Sequence, residues 1–220
     1  LDLQGNLVAS APLRMTAVNT GTGTFWHQMY NTYYYLARES DYSGADNTTL
    51  YDSSCTPLAT VPAAFSDDVC IQGSGKLDNG TLVHYAGTCN CGRPCPTGGT
   101  VCYHTLNPAQ YPWGMGSANN PIEPFRSWAV DNTLISRGTV LYSPDWDGVW
   151  IPASGDGDGL GGFTHDGCFR ADDVGGWIQD YHYDFNCGTR TMWHLMEAIT
   201  PTYTYVDVHM GADKCAYLIN

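Results

Sequence analysis

Aspartates are the residues of this chain best placed to do chemistry. Asp173 and Asp184 stand eleven residues apart, with Gly175-Gly176 and Trp177 between them. Asp173 closes a predicted strand that begins at Phe169. Asp184 sits within His182-Tyr-Asp-Phe-Asn-Cys187, where strand alternation sends Tyr183, Phe185 and Cys187 to one face and His182, Asp184 and Asn186 to the other. A lone Asp usually caps a turn, but a mid-strand Asp between two aromatics caps nothing. Asp131, just after another predicted strand, is the third candidate. Carboxylates gathered in one cleft acquire split pKa values, so that one stays protonated as a general acid while another stays ionised. That arrangement can break a glycosidic bond, whose leaving oxygen must be protonated as positive charge develops on the sugar. Seven Trp and fifteen Tyr offer faces for sugar rings, and Trp177 lies between the two Asp residues.

Other chemistries are less well supported. His165-Asp166 and His182 could join Asp184 around a metal, but His182 reads better as a hydrogen-bond partner of a cleft carboxylate or of substrate. Asp156-Gly-Asp158-Gly resembles a calcium loop without its later bidentate Glu, and reads as a solvated loop beside the cleft. The spacing of Cys89, Cys91, Cys95 and Cys102 invites zinc, but it contains no pair of Cys-x-x-Cys motifs, and bridges are favoured. No metal and no cofactor is therefore expected. There is no Gly-x-Ser-x-Gly elbow for a serine nucleophile. Cys187 faces the apolar side of its strand, so it is expected to be buried or bridged, with Cys168 as its first partner.

These residues need a frame, and the composition bounds it. The 220 residues suit a single domain, 1–220, with one large insertion. A formal charge of −13 with only nine Lys and Arg argues against nucleic acid and against anionic membrane surfaces. No apolar run is long enough to span a bilayer. Nine Cys and the sequons at Asn47 and Asn79 point to a secreted, extracellular protein, and the odd count leaves one thiol over. A monomer is expected. No signal peptide is evident, so position 1 reads as at or near a mature N-terminus.

Residues 1–24 read as an extended lead-in and Thr24 to Leu36 as a strand. Residues 37–52 read as a polar loop, Val61 to Cys70 as a short helix and Leu82 to Ala86 as a strand. Residues 87–120, rich in Cys, Gly and Pro, read as a disulfide-held insertion. Strands are expected at Ser127–Val130, Gly138–Ser143 and Val149–Pro152, with a glycine-rich loop at 153–167. Thr191 to Ile199 reads as a short helix and Tyr203 to Val208 as a closing strand. Short strands with long irregular connections predict a small barrel.

The ordered elements Ala129-Val-Asp131, Leu134-Ile-Ser-Arg-Gly138-Thr139-Val-Leu-Tyr142, Asp173-Val-Gly175-Gly176-Trp-Ile178 and His182-Tyr-Asp184-Phe resemble the three-aspartate (3D) domain of the murein lytic transglycosylase A type. Thr32-Tyr-Tyr34 looks like that domain's first strand. The resemblance runs from Phe125 to Gly188 plus that early strand. It implies a mainly β fold, a six-stranded double-psi β-barrel with long disulfide-rich loops and a few short helices. It implies cleavage between N-acetylmuramic acid and N-acetylglucosamine without water, leaving a 1,6-anhydro sugar. Asp184 would be the acid and then the base, with Asp173 and Asp131 shaping its pKa, and Trp177, Tyr34, His182 and Thr139 binding substrate. The same barrel is similar to glycoside hydrolase family 45 endoglucanases and to expansins. The polysaccharide partner is thus peptidoglycan or a β-glucan, and a non-catalytic polysaccharide binder or a disulfide-rich effector are the other readings. Asp180 stands where the pattern usually has Gly. The acidic composition is easier to reconcile with a neutral polymer than with an anionic one.

Overall fold

A computed structural model describes residues 21–219. Of the predicted lead-in, residues 1–20 lie outside the described residues. In chain order the elements are β1 (Thr24–Tyr34), β2 (Ala37–Arg38), β3 (Asp46–Tyr51), β4 (Pro57–Pro62), α1 (Ala63–Gln72), β5 (Ser74–Lys76), β6 (Leu82–Thr88), β7 (Val101–Leu106), β8 (Ser127–Val130), β9 (Val140–Ile151), β10 (Phe163–Asp173), β11 (His182–Asn186), α2 (Arg190–Ile199) and β12 (Tyr205–Met210). Two short 3-10 helices, Glu39–Asp41 and Asp213–Leu218, complete the list.

Six strands close into a barrel in the order β1-β11-β8-β10-β9-β12. Two neighbouring pairs are parallel, β1 with β11 and β10 with β8, and the others are antiparallel. Closure removes the exposed strand edges that an open sheet of this size would present. Aromatic side chains fill the interior. Trp128 stacks between Tyr183 (3.9 Å between ring centroids) and Phe169 (4.2 Å), and Trp146 stacks on Phe185 at 4.9 Å. Each of these five side chains is fully buried. The expected alternation of β11 holds on its inner face, where Tyr183, Phe185 and the following Cys187 all enter the core.

Between β1 and β8 the chain builds a second body. β2, β5, β6 and β7 form a four-stranded sheet, β3 and β4 form a hairpin, and α1 packs beside them over a separate core that includes Leu50, Val61, Phe65, Val69 and Val83. Residues 37–52 are therefore not a loop throughout. β3 pairs with β4, and alternation buries Thr48 and Leu50 despite a polar sequence. The stretch 87–120 likewise contains β7, which pairs with β6. Three disulfides tie this body together, Cys55–Cys91, Cys70–Cys95 and Cys89–Cys102. The sulfurs of Cys89, Cys91 and Cys102 cluster, but each belongs to one of those bridges.

Three further expectations are corrected. The strands expected at Gly138–Ser143 and Val149–Pro152 are parts of one strand, β9 (Val140–Ile151), because Pro144 sits exposed while Trp146 turns into the core and shifts in the β10 pairing absorb the irregularity. β10 begins at Phe163 inside the expected 153–167 loop, drawn into register by Ile151 and Trp150. Cys168 is bridged to Cys215 in the last 3-10 helix and not to Cys187, which is buried as a free thiol with its sulfur 3.2 Å from the Tyr34 carbonyl. The helices fall where expected, α1 ending at Gly73 in the left-handed conformation and α2 capped by the Thr189 hydroxyl. No helix among the described residues is long and apolar enough to cross a membrane.

Candidate active site

The outer face of β11 carries the candidate group, Asp184. β1 runs parallel beside it with Thr32 opposite Asp184 and Tyr30 opposite His182. The Thr32 hydroxyl donates to Asp184 Oδ1 at 2.7 Å and lies 2.8 Å from His182 Nε2. His182 Nδ1 is 3.3 Å from the Trp177 carbonyl, which can only accept, so Nδ1 carries the proton and Nε2 is bare. The single Thr32 proton goes to Asp184 when that carboxyl is ionised, and to Nε2 when protonated Asp184 itself donates to Thr32 Oγ1. Burial holds His182 below the usual histidine range, with the Trp177 carbonyl working against that. Tyr30 stacks on the same imidazole at 4.5 Å.

Among the described residues no cation stands against Asp184. Burial drives its pKa up to about 7, and the Thr32 hydrogen bond only partly offsets that rise. Asp173, at the end of β10, behaves alike. Burial again raises it to about 7, the backbone N–H groups of Val174 and Ser117 pull it down, and the nearby charges of Asp184 and Asp172 push it up. Two carboxyl groups thus hold protons near neutral pH beside each other, the condition a general acid requires.

Asp172 differs from its neighbour. It is 3 % exposed, accepts from Arg170 Nε at 2.6 Å and from the Ser127 hydroxyl, and ties β10 to β8. The loop 114–122 closes over this end of the barrel. At Gly116 a Cβ would meet the Asp172 carbonyl oxygen at 2.3 Å, so only glycine lets the loop approach and bring Ser117 N–H to Asp173.

Tyr34, the next outward residue on β1 after Thr32, packs on Ile122, Ala129 and Ile178. Its hydroxyl is buried and faces the Asn186 side chain, and Ser117 Oγ and Asn120 Oδ1 are buried with no hydrogen-bond partner among the described residues. Burial and the carboxylates of Asp173, Asp184 and Asp172 all raise its pKa.

The remaining predicted residues occupy the rim or the frame. Asp131 accepts from Thr133 N and Oγ1 with one oxygen and from Asp180 N, 2.9 Å away, with the other. The Thr133 hydroxyl and amide and the Asp180 amide hold its carboxyl below the usual range. Asp131 therefore fastens the turn 174–180, where Asp180 adopts a left-handed φ of 56°. Trp177 stands on that turn, 78 % exposed. Thr139 is half-buried, and its carbonyl accepts from Ala171 N at 2.9 Å. His165 and Asp166 do not join Asp184. Gly167 N donates to His165 Nδ1, so the Nε2 proton goes to the Phe125 carbonyl at 2.7 Å, and Asp166 pairs with Arg126. Asp158 is clamped by Arg38 and Ser154, which accounts for the calcium-like loop.

Sequence reasoning missed Thr32 and Tyr30 as site members. Their signal was present, since Tyr30, Thr32 and Tyr34 follow a period of two on one face of a predicted strand. Ser117 and Asn120 carried no such signal, because their loop reaches Asp173 only through the closure of the second body onto the barrel.

No family model matches the sequence, and no curated protein matches it. Solved structures do match the fold. Escherichia coli MltA with bound chitohexaose superposes with a TM-score of 0.58 at 16 % identity, over 82 % of this chain and 70 % of that one. A membrane-bound lytic murein transglycosylase from Agrobacterium tumefaciens gives 0.57 at 11 % identity, over 87 % and 76 %. This chain has the double-psi barrel fold of the murein lytic transglycosylase A type.

Proposed function

We propose that this protein is a glycan-cleaving enzyme of the lytic transglycosylase kind, acting on peptidoglycan with Asp184 as its acid and base. The observation that carries this reading is the environment of Asp184. Its carboxyl is half-buried on a barrel strand, has no cation beside it among the described residues, and keeps its proton to about pH 7. The shared fold with murein transglycosylases, one of them holding a chitin oligomer, supports the substrate class.

The steps follow from the hydrogen bonds. Neutral Asp184 gives its proton to the glycosidic oxygen as the bond to the anomeric carbon breaks. The Thr32 hydroxyl, shared between Asp184 Oδ1 and His182 Nε2, then donates to the new carboxylate. The sugar's own 6-hydroxyl attacks the anomeric carbon and returns a proton to Asp184. One proton leaves and one comes back, no water is consumed, and the product is a 1,6-anhydro sugar. Asp173, raised by its own burial and by the charge of Asp184, stays neutral while Asp184 is ionised after the first proton transfer. Asp131 acts by positioning the Trp177 turn. The disulfides and the exposed sequon residues Asn47 and Asn79 favour an extracytoplasmic protein.

Incubation with purified peptidoglycan and mass analysis of the products tests the reading. Anhydromuropeptides, one water lighter than hydrolysis products, are expected. Reducing-end products would point to hydrolysis, and no cleavage of murein, chitin or β-glucan would reject the enzyme.

A further inference from the structure

An aromatic ladder leads away from Asp184 across the barrel surface. His182, beside Asp184 on β11, is stacked by Tyr30 of β1. Tyr30 is in turn paired across the strands with Tyr205 of β12, ring centroids 5.7 Å apart, and approached by Tyr203 at 5.9 Å. Three adjacent strands thus present a row of rings one side-chain row from Thr32 and Asp184. The outer members are open to solvent, Tyr203 at 69 % and Tyr205 at 63 %.

The turn that carries Tyr203 is built to hold it there. Tyr203 adopts φ 68°, a left-handed conformation that is strained for a bulky side chain. Buried Asn31 fixes the turn from beneath. Its side chain accepts from Thr204 N at 2.9 Å and donates to the Thr200 carbonyl, while its backbone carbonyl accepts from Tyr203 N at 2.8 Å. Glu197 adds two bonds to Thr202. Packing explains none of this for a ring that is mostly exposed, because an exposed aromatic buries little apolar surface in return for the strain. Polar groups rim the row. Gln28 donates to Asp207, and Asp207 N donates to Asp145.

We infer that Tyr203, Tyr205 and Tyr30 form a glycan-binding shelf that holds sugar units beyond the one at Asp184, taking the uncharged N-acetylhexosamine backbone of the polymer. This deepens the proposed function and rests on it. The occupant follows from three features. The shelf is continuous with the site through His182, its flat phenol faces with carboxylate and amide rims suit sugar rings and their hydroxyls, and the acidic surroundings disfavour anionic segments.

The experiment uses the full chain silenced by Asp184→Asn, with and without Tyr203→Gly and Tyr205→Ala, binding insoluble chitin and peptidoglycan. The same shelf substitutions in the active protein are assayed on peptidoglycan strands three and six disaccharide units long, the trimer and the hexamer. Loss of both rings should weaken binding about tenfold and shrink the kcat/KM advantage of the hexamer about tenfold, through KM. Tyr203→Gly relieves the left-handed strain, so its Tm should hold or rise. A fall in Tm would mark the ring as packing and overturn the shelf. Unchanged polymer binding, or equal losses on trimer and hexamer, would overturn it as well. If the wild-type chain binds no glycan at all, both readings fail. If it binds but does not cleave, only the catalytic reading fails and the binding comparison still decides the shelf.

Discussion

The Thr32 hydroxyl sits 2.7 Å from Asp184 Oδ1, joining a side chain from the first strand of the barrel to one from a strand 152 positions later. The same oxygen reaches His182, so one hydroxyl touches both the Asp184 carboxyl and the neutral imidazole beside it. Thr32 is the group through which changes at His182 are felt at Asp184.

Removing that hydroxyl should move the pH profile. Thr32 favours the ionised form of Asp184, so Thr32→Val raises the carboxyl's pKa further. The basic limb of kcat/KM, set by loss of the Asp184 proton, should shift upward while kcat falls about tenfold from lost orientation. A lower or unmoved basic limb would contradict the assigned relay.

Asp184→Asn should abolish cleavage and stabilise the fold at alkaline pH. The folded pKa of about 7 lies above the unfolded value. The folded state therefore holds a proton that the unfolded chain has released, and stability falls as pH climbs from the unfolded pKa, about 4, through the folded value. Above that window the buried charge costs on the order of 2–4 kcal/mol, which Asn removes. Urea melts at pH 8 and pH 4 should show a gain for Asn at the first and none at the second.

Asp131→Ala frees the turn 174–180 by removing the acceptor of Asp180 N. Activity should fall by up to about a hundredfold through misplacement of Trp177, with the pH limbs unmoved. A shifted limb would mean that Asp131 acts on the acid directly.

Asp172→Ala leaves Arg170 buried without its partner, and the loss should be about 3–5 kcal/mol by chemical denaturation. Asp173→Asn should be far milder for folding, since its carboxyl already holds a proton near neutral pH.

Thiol labelling checks the bridge pattern. Without reductant, a native chain should take up no label, and a denatured one should take up one equivalent at Cys187. Cys215→Ser opens a bridge spanning 47 positions and should cost about 4 kcal/mol at most.

The pattern of two along β11 was legible in the sequence, because pleating sends Tyr183, Phe185 and Cys187 inward whatever surrounds them, and Asp184 outward with them fixed. The strand at 127–130 and both α-helices were legible for the same local reasons. Pro144 and the Asp147-Gly148 step lie inside β9, where shifts in the β10 pairing let one strand run through residues that usually end one. The polar β3 and the Cys168–Cys215 bridge depended on partners far along the chain.

What the sequence by itself determined is the set of carboxylates and the faces on which they stand. What only the tertiary structure decided is which of them holds a proton. Asp131 and Asp173 are the same residue type at strand ends. Three donors in solvent lower the first, while the folded loop 114–122 and the neighbouring strand bury the second and raise it. Alternation is a property of the local backbone, but desolvation is set by everything that packs around a group, and that is assembled only when β1, the second body and β11 meet.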